Sequence, residues 1–102
     1  MPFDSKPRLF IEEIILAYPE GMNGVYGLRS PFRWIYVGKG DIRAELLAHL
    51  ETPNSCMLRE EPTSWYADIV KGDPSARQNE LILELRPVCN QRPGPSVSIE
   101  EK

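Results

Sequence analysis

Apolar positions along this chain fall into short periodic stretches divided by proline and glycine. The first, "PRLFIEEIILAY" over 7–18, sets Leu9, Phe10, Ile14 and Leu16 against Glu12 and Glu13. That spacing predicts an amphipathic helix, opened by Pro7 and closed before Pro19. Two runs of β-branched and aromatic residues follow, at 24–29 and 34–38, with Ser30-Pro31 between them. They predict a hairpin. "GDIRAELLAHLE" then repeats Ile42, Leu46 and Leu50 every four residues behind Asp41, the pattern of an N-capped helix. "TPNSCMLREEPTS" has two prolines and no period, and reads as a loop. "SWYADIV" at 64–70 predicts a third strand, and "ARQNELILEL" a last helix ending at Arg86-Pro87. Three strands with helices packed on them give a small α/β (α+β) layer.

Composition narrows the class. The chain has 102 residues, 41% hydrophobic and 26% charged, which suits one globular domain with one core. We expect that domain over residues 1–90, with 7–18 as an extra N-terminal helix. The Pro-, Gly- and Ser-rich segment 91–102 is expected to be a disordered tail. No apolar run is long enough for a membrane span, and no signal-peptide pattern opens the chain, so a cytoplasmic location is expected. Cys56 and Cys89 are expected to be two free thiols in a reducing compartment. A net charge of −3 disfavours nucleic acid, whose phosphates are held by Lys and Arg.

The hairpin carries the chemistry. If it turns at Pro31 through a three-residue loop, Tyr26 faces Tyr36 and Leu28 faces Trp34, each pair sharing one side of the ribbon. Two phenols beside Gly24, Gly27 and Gly38 have two readings. One is a site in which phenolic oxygens hold a water or pass protons. The other is aromatic packing. Trp34, Trp65 and Tyr66 likewise fit base stacking or core packing. "YVGKGD" lacks the residues of a phosphate-binding loop.

"GVY" at 24–26, "YVG" at 36–38, Lys39, a helix bearing His49, and "ELILELRPVCN" with Pro87 and Asn90 together resemble the GIY-YIG nuclease family. The resemblance spans about 24–90. It implies a three-stranded antiparallel sheet flanked by helices and hydrolysis of DNA phosphodiesters with one divalent ion, Mg2+ or Mn2+. It also implies roles: Tyr26 activates the attacking water, Tyr36 bonds near the scissile phosphate, and Lys39 meets phosphate. His49 and Asn90 complete the site. An endonuclease of this size would rely on a partner protein for targeting.

Two positions depart from the family pattern. Its arginine stands four residues before the histidine, where this chain has Glu45. Arg43 is near the middle of the helix's apolar stripe and is either a displaced substitute or an arginine lying along the core edge. The family's metal-ligating glutamate is replaced by Gln78. An amide oxygen can ligate a hard cation but lacks charge. Glu45 is the other candidate ligand, and His49 lies on its side of the helix. The resemblance therefore allows two functions: a DNA endonuclease, weakened or intact, or a catalytically degenerate domain that binds nucleic acid or protein.

Overall fold

The hairpin organises the domain. In the computed structural model, which describes residues 2–90, strands β2 (Asn23–Arg29) and β3 (Trp34–Asp41) pair antiparallel. The turn between them is four residues long rather than three. Ser30 N–H donates to the Arg33 carbonyl at 3.0 Å, and Ser30 Oγ accepts from the N–H groups of Phe32 and Arg33. This Ser-anchored turn, with a bulge after Leu28, moves the register by two residues. Tyr26 stands opposite Gly38, Leu28 opposite Tyr36 and Arg29 opposite Trp34, which corrects the expected Tyr26–Tyr36 pairing. A shift of two preserves sidedness, so the two phenols still share a face.

β2 is central. Its other edge pairs with β4 (Ser64–Ile69), and β4 pairs with β1 (Arg8–Leu9), giving the order β1-β4-β2-β3. The sheet is antiparallel with four strands, one more than expected. The extra strand comes from the predicted helix 7–18, of which only α1 (Glu12–Leu16) is helical. Upstream of it the backbone serves the sheet: Phe10 N–H donates to the Thr63 carbonyl, and Trp65 Nε1–H to the Leu9 carbonyl. Arg8 lies over the rings of Tyr18 and Trp65. These contacts use Leu9 and Phe10 in extended form, where the helical period also allowed them.

The remaining helices are α2 (Ile42–Glu51), α3 (Ser55–Glu60) and α4 (Ser75–Leu85). Asp41 caps α2 by accepting from Ala44 N–H. α3 occupies the expected loop. Asn54 caps it by accepting from Met57 N–H at 2.9 Å, and Glu61 ends it in the left-handed region at φ 56°. Side-chain capping satisfies donors that a six-residue helix would otherwise leave to water.

The sheet carries a core on each face. One packs Tyr26, Leu28, Ile35, Trp65 and Ala67 against Ile15 of α1, Ile42 and Leu46 of α2, and Met57 of α3. The other packs Val25, Val37 and Phe3 against Leu81 of α4. The bulge sends both Ile35 and Tyr36 to the first core, although they are neighbours in sequence. Trp34 and Tyr66 join Phe3 in the second core, with ring centroids 4.9 Å apart, and Trp65 is fully buried in the first. These aromatics are packing residues. The expected tail at 91–102 lies outside the described residues.

Candidate functional site

Gly38 makes room for Tyr26. A Cβ at Gly38 would lie 2.2 Å from the Tyr26 hydroxyl oxygen, so the phenol crosses the strand where only glycine leaves space. The ring then reaches α2. Its hydroxyl lies 2.7 Å from His49 Nε2 and 3.2 Å from Glu45 Oε1. Tyr26 is fully buried. Tyr36 is the diagonal neighbour, its ring centroid 6.2 Å from that of Tyr26 and 5.1 Å edge-on from that of His49.

Proton counting fixes the direction of this chain. As a carboxylate, Glu45 only accepts, so the single phenolic hydrogen points to it. The Tyr26 oxygen must then accept from His49, whose hydrogen is therefore on Nε2. The order is His49 to Tyr26 to Glu45. Burial raises the Tyr26 pKa far above the ordinary phenol value, and Tyr36, the Glu45 charge and its hydrogen bond push the same way. Burial also lowers the His49 pKa, with Glu45 opposing. Both effects favour a neutral phenol and a neutral imidazole.

The sequence-derived candidates are otherwise dispersed. Arg43 does not approach the phenols. Its guanidinium contacts the Tyr18 carbonyl at 3.5 Å and Glu20 Oε2 at 3.6 Å, where it lines a separate hollow with Asp41 and Leu47. Lys39 alternates with Gly38 along β3 and so belongs to the face opposite the phenols, where its Nζ donates to Ser75 Oγ at the start of α4. Asn90 works at the outer edge of β3. Its Oδ1 accepts from Val37 N–H at 2.6 Å, and its Nδ2 donates to the Val37 carbonyl at 3.0 Å. Gln78 Nε2 also donates to that carbonyl, at 3.3 Å. The phenols therefore face α2, not the helix that bears Gln78.

These residues do not fit a hard divalent cation. Mg2+ wants several oxygen ligands in near-octahedral array. Here Glu45 is bonded to the buried phenol and Gln78 to a strand edge. Among the described residues, no group of three or more His, Cys, Asp or Glu side chains could hold a metal ion.

The edge of β3 is closed by more than Asn90. Val88 N–H donates to the Trp34 carbonyl and Cys89 N–H to that of Ile35. Cys89 is also disulfide-bonded to Cys56 on α3, across 33 residues of sequence. The expectation of free thiols is therefore corrected. Sequence separation hides such a pair; the fold brings its Cα atoms to 5.8 Å, inside the bonding range.

Sequence reasoning also missed a cleft of about 330 Å3 between α3 and the segments around Phe10 and Leu50. His49 lines it together with Met57, Leu58 and Glu61. Its wall depends on α3, whose one legible signal was the Asn54 cap.

No protein-family model matches the chain, and neither a curated protein nor a solved structure shows significant similarity to it.

Proposed function

We propose that this is a GIY-YIG-like domain that has exchanged phosphodiester hydrolysis for binding, with a protein as its partner. One observation carries the reading: the Tyr26 hydroxyl is fully enclosed and occupied by His49 and Glu45. A phenol that activates water must reach both water and phosphate. This one reaches neither without unpacking α2. Glu45, where the family has a cation, adds a charge that repels phosphate.

A protein partner is favoured over nucleic acid by the charge distribution. The net charge is −3. Arg33, Arg43, Arg59 and Arg77 each lie within salt-bridge distance of a glutamate. Binding to phosphates needs such cations available for counterion release. The Cys56–Cys89 bond supports action in an oxidising compartment rather than in the reducing cytoplasm.

A plasmid-nicking assay with Mg2+ or Mn2+ tests the proposal. The expected result is no metal-dependent cleavage, and no salt-sensitive binding to a labelled duplex. Metal-dependent nicking that disappears in Tyr26→Phe would establish the endonuclease instead. The double variant Glu45→Arg/Gln78→Glu, which restores the family's charges, is the positive comparison.

A further inference from the structure

The cleft beside α3 joins an apolar wall to two polar residues. Its wall is apolar, formed chiefly by Phe10, Leu50, Met57 and Leu58, and His49 and Glu61 are its polar residues. Its volume, about 330 Å3, falls at the small end of ligand sites. Leu58 lies at its rim with 63% of its surface exposed, an apolar side chain available to cover something.

Both polar residues are acceptors. His49 uses Nε2 on Tyr26, and the Glu45–Tyr26 bond requires the hydrogen to sit on that nitrogen. Nδ1 is the ring nitrogen of His49 that Tyr26 does not engage, and His49 lines the cleft. Glu61 adds negative charge. It occupies the left-handed region, at φ 56°, where the helix end would accept glycine more readily. A carboxylate ligand would meet repulsion and no donor here. A neutral apolar ligand would gain nothing from the Glu61 charge.

We propose that this cleft binds a small organic ammonium: a protonated amine on an apolar body about the size of a hexyl chain. One ammonium N–H donates to His49 Nδ1. The charge is balanced by Glu61, and the chain lies along Phe10, Leu50, Met57 and Leu58. The site stands independently of whether the domain cleaves DNA, since no group at the phosphodiester-family positions other than His49 takes part.

The test is an NMR titration of the disulfide-bonded full chain with three matched probes: hexylammonium, hexan-1-ol and hexanoate. Hexylammonium is expected to shift the backbone amides of His49, Leu50, Met57 and Leu58 saturably. Its affinity should exceed that of hexanol by about threefold or more, the scale of one partly exposed ion pair, and hexanoate should be the weakest. Glu61→Gln, at an exposed position, should remove the preference for ammonium over alcohol. A long-range 15N correlation spectrum should show the His49 proton on Nε2. Equal affinity for all three probes, shifts that do not saturate, an unchanged preference in Glu61→Gln, or a proton on Nδ1 would each overturn the proposal.

Discussion

The Tyr26 hydroxyl and His49 Nε2 lie 2.7 Å apart in the interior between sheet and helix, where burial favours the neutral form of both residues. This contact also decides what the site can do. A phenol whose one hydrogen is committed to glutamate and whose oxygen is enclosed is out of reach of an attacking water.

Tyr26→Phe leaves the packing nearly intact but strands His49 Nε2–H and the Glu45 carboxylate. Loss of a buried partner costs on the order of 1–3 kcal/mol, and urea denaturation should show a loss of that size. The same residue predicts alkaline behaviour. A raised folded-state pKa gives stability that is complete below the unfolded value of 10.0 and is lost as pH rises beyond it. In a phenolate absorbance titration, Tyr26 should ionise only as the domain unfolds.

His49 predicts the acid side. Its folded-state pKa is lowered by burial, so the unfolded chain takes up the proton first as pH falls. Its stability contribution is complete above the unfolded value of 6.5 and is lost as pH drops below that through the folded value. The denaturation midpoint should therefore fall between about pH 7 and about pH 5, and the slope should be shallower in His49→Gln.

Gly38→Ala should be far more damaging than a strand glycine substitution ordinarily is. The added methyl would overlap the Tyr26 hydroxyl at 2.2 Å, and such overpacking costs roughly 1–3 kcal/mol. The check is a double-mutant cycle with Tyr26→Leu, which frees the space. The glycine substitution should cost clearly less in that background.

Thiol titration of the denatured, unreduced protein should find neither Cys56 nor Cys89 reactive. Closing a loop of 33 residues restricts the unfolded chain by on the order of 3–4 kcal/mol. Cys56→Ser/Cys89→Ser should lose stability on that scale, with the far-UV spectrum retained.

Much of the architecture was legible where a local signal coincided with the tertiary demand. Asp41 caps α2, and Ile42 and Leu46 are buried as their spacing implies. The hairpin strands were legible, but their register was not. The hydrogen bonds of Ser30 set it, and no periodicity in the strands reports a four-residue turn. Leu9 and Phe10 satisfied a helical period while their backbone was needed by β4. In the candidate site, the spacing of Glu45 and His49 placed them together on α2. Their shared partner was not legible, because it depends on which sheet face meets that helix. Cys56 and Cys89 meet only after the chain has folded round β3.

The clasp along β3 combines two kinds of recognition. At Val88 and Cys89 it uses main-chain N–H groups, which any residue but proline supplies. At Asn90 it uses a side-chain amide that imitates a neighbouring strand, donating and accepting at Val37. The main-chain hydrogen bonds of the seam are therefore indifferent to residue identity, whereas its amide contact is not. A chain of the same shape with another residue at this position would have to shield its outer ribbon by different means or leave it open to pairing with a second molecule.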